Sequence, residues 1–300
     1  MPAPTPAAPR IRPATAADLP QVGDIYYQNE IEDDPTPPPV HAFAWLAHVL
    51  ASGRLYVAED AAGAVIGYGG SIVRGPVAFL TDLFVRPARQ SGAIGQALLA
   101  AVLPADGRMH CTTASTDPRA QALYTRAGMA PRRPHYWLRV SPEDARRLPA
   151  GAITLAATPL DDPALRAWDA RVSGRDRPQD FAWWRDGTNG VALWCRRGGE
   201  RVGYAVAQRR TDASVYHPDM WTIGPVGAAD EADAAECALA ACAWALAHGA
   251  PLLRIAVAGP HPALKPLLDA GARINYVEMY CATRDDLFDP RRYISSGDML

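Results

Sequence analysis

The sequence predicts an α/β protein built twice, a tandem duplication of one α/β unit, and three observations carry that reading. The 300-residue chain is 49% hydrophobic and 21% charged, the balance of globular domains with their own cores rather than of a disordered chain. Strand-like and helix-like apolar patterns alternate along it. The second half also echoes the first: Val202-Gly203-Tyr204 repeats Ile66-Gly67-Tyr68, and Ala270-Gly271 falls where Ala127-Gly128 falls. The pattern sets 1–9 as a disordered tail, 10–141 as the first domain, 142–151 as a linker, 152–283 as the second domain and 284–300 as a C-terminal tail packing on either domain.

In the first half a short strand begins at Ile11, and Thr15 with Asp18 offers a capping-box start to a helix over 16–28, with Leu19, Val22, Ile25 and Tyr26 at helical spacing. The acidic, proline-rich run 29–39 reads as a loop, followed by a helix over 41–52. Strands are expected over 54–59 and 64–73, around a turn at 60–63. A strand over 79–84 leads through a small, basic linker into a helix over 94–103. Then come a strand over 108–115, a helix over 118–127 with Gly128 at its C′ position, and a strand over 135–140. The second half reads as strands over 153–158, 191–196, 201–209, 220–223, 252–258 and 275–283. Its helices are expected over 162–173, 178–185, 230–248 and 262–270.

The segment around 85–96 organises the functional reading. A strand, a glycine-bearing turn and a helix start aim several backbone N–H groups at one spot, where the helix terminus adds about half a positive charge. Such a spot attracts a phosphate or diphosphate. No Gly-Lys-Ser/Thr follows, so it is not a P-loop, and it lacks the six-residue dinucleotide fingerprint.

The wording resembles the GNAT superfamily of N-acetyltransferases, whose Gln/Arg-x-x-Gly-x-Gly/Ala run follows a Val-x-Pro strand end. Here the six positions are Gln90, Ser91, Gly92, Ala93, Ile94 and Gly95; Gln90 and Gly95 match, and Ala93 replaces the first motif glycine. A second signature, Asn-x-x-Ala-x-x-x-Tyr-x-x-x-Gly-Phe, is matched by Ala120, Tyr124 and Gly128, with Asp117 for the Asn and Met129 for the Phe. The resemblance covers about residues 10–140. It implies two tandem GNAT-type domains, each a mixed, mostly antiparallel, twisted sheet flanked by helices. It also implies acetyl-CoA as co-substrate and direct attack of an acceptor amine on the thioester. The pantetheine arm is expected against the main chain of Leu83, Phe84 and Val85, and the diphosphate on Gln90 to Gln96, with Asp117 and Ala120 completing the cofactor set.

Tyr124 is the expected proton donor to the departing thiolate, a phenol of acidity matched to a thiol. Asp82, the one carboxylate in an otherwise apolar strand, is the candidate base; such a charge is costly unless it meets water or a partner. The alternative for Asp82 is an ion pair with an arginine. Some relatives carry a glutamate at the position of Thr81. Glu30, Glu32, Asp33 and Asp34 border the acceptor pocket of relatives and could recruit a cationic amine. Ser115, Cys111, His110 and His135 form no nucleophile–base spacing, and no metal constellation stands out, so no metal is expected.

Laid on the first half, the second puts Pro225 at Pro87 and Ala228-Ala229-Asp230-Glu231 at Gln90-Ser91-Gly92-Ala93, and Leu267 falls at Tyr124. Carboxylates would repel a diphosphate and stabilise a plain helix start. The second domain is therefore expected to be degenerate and the first to be catalytic. The expected acceptor is a small-molecule or peptide amine. Two alternatives stand beside this: a non-catalytic acyl-CoA-binding or regulatory protein, and a tandem enzyme of the mycothiol synthase type, whose working site lies in the second half. The net charge of −2 gives no reason to expect nucleic acid, and no apolar run is long enough to span a membrane. Five scattered cysteines predict buried, reduced thiols in a cytoplasmic protein; a homodimer stays open.

Overall fold

The computed structural model describes residues 9–31, 43–90, 93–209 and 220–297. Its contacts divide into two units, Met1–Val73 with Ala78–Arg108, and Arg74–Val77 with Met109–Leu300.

The first unit holds β1 (Arg10–Pro13), α1 (Leu19–Glu30), α2 (Ala44–Ser52), β2 (Arg54–Glu59), β3 (Val65–Arg74), β4 (Val77–Val85) and α3 (Ile94–Val102). The strands lie in the order β1-β2-β3-β4, with β1/β2 and β2/β3 antiparallel. The Thr15–Asp18 box forms: Asp18 accepts from the Thr15 amide at 2.7 Å and from its hydroxyl at 2.9 Å. Arg12 pairs with the same carboxylate at 2.9 Å, and that hydrogen bond, ahead of the others, holds the Asp18 carboxyl well below its usual range.

On one face, Ile94 and Leu98 of α3 pack with Ala58, Ile66, Leu83 and Val85. Gly67 permits this approach: a Cβ there would sit 3.0 Å from the Phe84 carbonyl and 3.3 Å from Leu98. Helix α1 runs to Glu30, two residues beyond the expected end. Asn29 caps its own preceding turn, its Nδ2 donating to the Ile25 carbonyl at 2.8 Å, so Asn29 and Glu30 are helical rather than part of the loop.

The second unit holds β5 (Met109–Ala114), α4 (Pro118–Arg126), β6 (Ala130–Val140), α5 (Pro142–Ala145), β7 (Thr154–Thr158), α6 (Pro163–Ser173), α7 (Pro178–Asp186), β8 (Val191–Arg197) and β9 (Glu200–Gln208). It continues through β10 (Met220–Ala228), α8 (Glu231–Ala247), β11 (Leu252–Ala258), α9 (Leu264–Asp269), β12 (Arg273–Ala282) and β13 (Tyr293–Ile294). Its strands lie in the order β5-β12-β6-β11-β10-β9-β8-β7, with β10/β11 parallel and the neighbours on either side antiparallel.

The last regular strand of each sequence half pairs with strands of the other half. β12 lies between β5 and β6, with Tyr280 opposite Thr113 and Val277 opposite Tyr136. β6 in turn lies between β12 and β11, with Leu138 opposite Ile255. Sequence order alone sets the break at 142–151; the sheet interleaves strands from both sides of it. β6 begins at Ala130, earlier than expected, because Pro131 falls at a register shift where its missing N–H is tolerated. β10 continues past Gly224-Pro225 through a similar shift between Ile223 and Val226.

The core of this unit is built on Leu138, Ile223, Leu253 and Ile255, with the alanine-rich inner face of α8. The unit also holds two buried ion pairs, Arg74 with Asp180 at 2.7 Å and Arg177 with Asp169 at 2.6 Å. All five cysteines are buried and unlinked. Among the described residues no helix is long and apolar enough to cross a membrane.

Candidate active site

The turn from β4 into α3 is pinned by side chains. The Arg86 amide donates to the Ile66 carbonyl at 2.9 Å, its Nε donates to the Val65 carbonyl at 2.9 Å, and its Nη1 donates to Gln28 at 3.0 Å. Gln90 donates through Nε2 to Asn29 at 3.1 Å and to the Val85 carbonyl at 3.3 Å. The Gln90 side chain thus ties the loop to α1 and to the end of β4. Ser91 and Gly92, expected to touch the diphosphate, lie outside the described residues, as does Asp33.

Ala93 precedes α3, whose start carries no side-chain cap. The first intrahelical bond of this stretch is from the Ala97 amide to the Ala93 carbonyl, at 2.9 Å. Helix geometry then leaves the amides of Ile94, Gly95 and Gln96 without intrahelical partners, directed out of the terminus. Gly95 is half-buried and Gln96 exposed. This donor set suits a diphosphate, so the residues present fit the co-substrate that the sequence resemblance implies. Leu83 and Val85 spend their side chains on packing against α3, and Phe84 packs its ring on Tyr26 and Tyr68. What β4 offers a cofactor arm at these positions is its main chain.

The corresponding helix start in the second unit is built the other way. Asp230 caps α8 by accepting from the Asp233 amide at 3.3 Å, and Glu231 and Asp233 fill the first turn. Arg197 holds Asp233 at 2.7 Å, and Arg291 holds Glu231. The C-terminal tail also forms β13 along β10, with Val226 opposite Ile294 and Gly227 opposite Tyr293, and the Ala228 amide donating to the Arg292 carbonyl at 2.9 Å. β10 pairs with β11 through Met220 to Ile223, and beyond that point its edge is taken by the tail. Gly224 makes room: a Cβ there would lie 2.2 Å from the Ser295 carbonyl oxygen. Leu267, at the tyrosine position, is fully buried.

In the first unit Asp82 is buried in β4 and accepts from the Tyr68 hydroxyl at 3.3 Å. Thr81 precedes it, half-buried. The neighbouring strand leaves space at Gly70, where a Cβ would lie 2.7 Å from Thr81 Oγ1 and 3.3 Å from Asp82 Oδ2. Burial and the charge of Asp82 push the Tyr68 phenol well up, which keeps it a neutral donor.

Glu30 feels the same carboxylate. Crowding by surrounding protein, and then the charge of Asp82, push its carboxyl up to about 7, although the side chain keeps a large accessible surface. Glu30 is open to solvent.

Around these two carboxylates stand aromatic rings. Tyr26 lies 4.9 Å from Phe43, 4.9 Å from Trp45 and 5.6 Å from Phe84, and Phe84 lies 5.7 Å from Tyr68. Tyr68 and this ring cluster were not singled out in the sequence. The repeated Ile-Gly-Tyr was the available signal, because Tyr204, its echo, also donates to a carboxylate, that of Asp169.

The other expected residues belong to the second unit. Asp117 caps α4, accepting from the Arg119 amide at 2.8 Å, and Arg119 pairs with it at 2.7 Å and lowers its carboxyl. Its side chain is therefore spent on the helix start. Ala120 is half-buried one turn on. Tyr124 is 7% exposed. Gly128 takes φ 86° just past the helix end, as expected of C′.

Residues 19–129 match the model of the acetyltransferase (GNAT) family. Over this segment the chain is similar to that family. The match spans β4, the loop, α3 and α4, the elements that carry both sequence signatures.

Solved acetyltransferase structures share the fold over nearly the whole chain. A protein from Pyrococcus horikoshii assigned to the acetyltransferases aligns with a TM-score of 0.73 at 17% identity, covering 98% of this chain and 95% of its own. A tandem GNAT protein from the clavulanic acid biosynthesis pathway gives 0.64 at 17%, covering 93% and 99%. A GCN5-related N-acetyltransferase from Sphaerobacter thermophilus gives 0.61 at 15%, covering 94% and 98%. No curated protein matches the chain in sequence. The GNAT family is one of acetyl transfer from acetyl-CoA. Among the described residues no group of three or more His, Cys, Asp or Glu could hold a metal ion.

Proposed function

We propose that this chain is an acetyl-CoA-dependent N-acetyltransferase acting on a primary amine of a small molecule or peptide, with its working site in the first half of the sequence. The observation that carries the reading is the contrast between two helix starts. That of α3 has no side-chain cap, whereas that of α8 is closed by its own carboxylates and stands beside a β10 edge taken by the tail. The same contrast weighs against a working site in the second half.

The co-substrate supplies an acetyl group on an activated thioester. The amides of Ile94, Gly95 and Gln96 would hold its diphosphate, and the main chain of Leu83 to Val85 would offer hydrogen bonds to its arm. Asp82 takes the proton that the acceptor ammonium must lose before its nitrogen can attack. As the C–N bond forms the nitrogen would shed its second proton to solvent, and as the C–S bond breaks the departing sulfur would take a proton, from Tyr124 in the role that the sequence resemblance implies for it. Tyr124 would be reprotonated from solvent, and Asp82 would return its proton there.

Acetyl-CoA at a hundred times its Kd should stabilise the protein by about 2.7 kcal/mol, read as a rise in Tm, and Gly95→Glu should abolish the rise. Release of free thiol over an amine panel separates transfer from mere binding. A stabilised protein that releases none with any amine would be a non-catalytic acyl-CoA-binding protein.

A further inference from the structure

We propose that the second unit carries a binding site for a phosphate or diphosphate group, built on a row of three arginines across β11, β6 and β12. The inference goes beyond the function proposed above and does not depend on it.

Strand register writes the row. Arg139 of β6 lies opposite Arg254 of β11 on one side and opposite Arg273 of β12 on the other. Residues directly opposite one another share a face of the sheet. Their neighbours Leu138, Leu253 and Ile255 are fully buried in the core that α8 covers, so the three arginines take the other face. Arg139 and Arg254 are half-buried there, and Arg273 is exposed. Adjacent strands lie about 4.8 Å apart, so the three Cα atoms span roughly 10 Å.

A purely structural role calls for opposite charges. Elsewhere in this unit arginines meet carboxylates: Arg177 meets Asp169, Arg74 meets Asp180 and Arg133 meets Asp285. In the row each arginine instead faces a like charge, which is unfavourable. Among the described residues Arg139 and Arg273 form no ion pair, and the Arg139 Nε is buried without an acceptor. A buried donor left unmatched costs stability as well. Arg254 is held in place, its Nε donating to Thr222 Oγ1 at 2.8 Å and its guanidinium lying 4.6 Å from the centre of the Trp137 ring. Two unfavourable arrangements thus coincide at one spot, and a multiply charged oxyanion relieves both.

The guanidinium fork matches phosphate oxygens two at a time, and three positive charges favour a dianion over a monoanion. The next positions on the same face are Trp137 and Tyr276, opposite each other. Beyond them Glu278 accepts from the Trp137 Nε1 at 2.8 Å. That carboxylate repels an anion, which confines the site to the arginine row. Binding is reversible and no covalent bond changes.

The test is calorimetric titration of pyrophosphate into the full chain at constant ionic strength, in the Gly95→Glu background so that the start of α3 is closed. One equivalent is expected. Arg139→Gln should remove it or weaken it at least tenfold. Arg273→Gln should do the same, and because Arg273 is exposed this variant reads the site even if Arg139→Gln fails to fold. Inorganic phosphate should displace pyrophosphate, and acetate at the same ionic strength should not. No binding in this background, binding that neither variant weakens tenfold, or equal displacement by acetate overturns the proposal, whatever the outcome with acetyl-CoA.

Discussion

The Tyr68 hydroxyl donates to the Asp82 carboxylate at 3.3 Å, joining the third and fourth strands of the first unit through the residue proposed as the base. Replacing Asp82 with Asn should lower kcat/KM by about 10² to 10⁴, the usual worth of a positioned acid–base group. Tyr68→Phe removes one hydrogen bond to a charged group and should cost about tenfold or somewhat more. Thiol release at fixed amine concentration checks both, with circular dichroism to verify that each variant is folded.

Glu30 sets a pH dependence for cationic acceptors. With its carboxyl pushed up to about 7, it is largely neutral below that pH and charged above it. The groups whose charge reaches it include Asp82, and the raised Tyr68 phenol stays neutral throughout this range. The Kd for a cationic amine acceptor should therefore weaken as pH falls below 7, and Glu30→Gln should flatten that limb. For folding the sign is opposite. A carboxyl raised in the native state contributes most at low pH, and that contribution fades as pH rises from its ordinary value through 7.

Two buried histidines set an acid limb of stability. Burial lowers His135 to about 4, helped by the charge of Arg133, and lowers His261 to about 4 against the pull of Asp289. Their native values lie below the unfolded one, near 6.5. Their contribution is complete above 6.5 and is lost as pH falls from there to 4, by about 3 kcal/mol for each. Urea unfolding across this window should show the loss, and His135→Gln should remove about half of it.

The buried pair of Arg74 and Asp180 anchors the turn between β3 and β4 to α7, through contacts of 2.7 to 3.1 Å. Asp180→Ala should destabilise the protein by about 3–5 kcal/mol, because it removes the carboxylate facing a guanidinium that is 2% exposed. Chemical denaturation should show the change, and the double variant with Arg74→Met should recover part of it.

Much of the local structure was legible because local chemistry wrote it. The Thr15–Asp18 box, the start of α3, the acid-capped α8 and Gly128 at a helix end each depend on neighbours in sequence. Long-range relationships were not legible. Tyr68 and Asp82 meet across strands, and a run of Phe-Leu-Thr-Asp-Leu does not name its partner. β6 and β12 carry similar half-apolar patterns, so nothing local says that each will pair with the other half. The strand is expected to end at Ile223, yet β10 continues through Gly224-Pro225 to Ala228. Tyr293–Ile294 is too short to show a period, and its strand character comes from the β10 edge that it meets.

The central claim, one acyl-CoA site at the start of α3 and none in the second half, is tested most directly by titrating acetyl-CoA into the full chain and counting equivalents by calorimetry. One equivalent per chain is expected, lost in Gly95→Glu and kept in the Asp230→Ala, Glu231→Ala double variant. Two equivalents, or one that survives Gly95→Glu, would contradict the account.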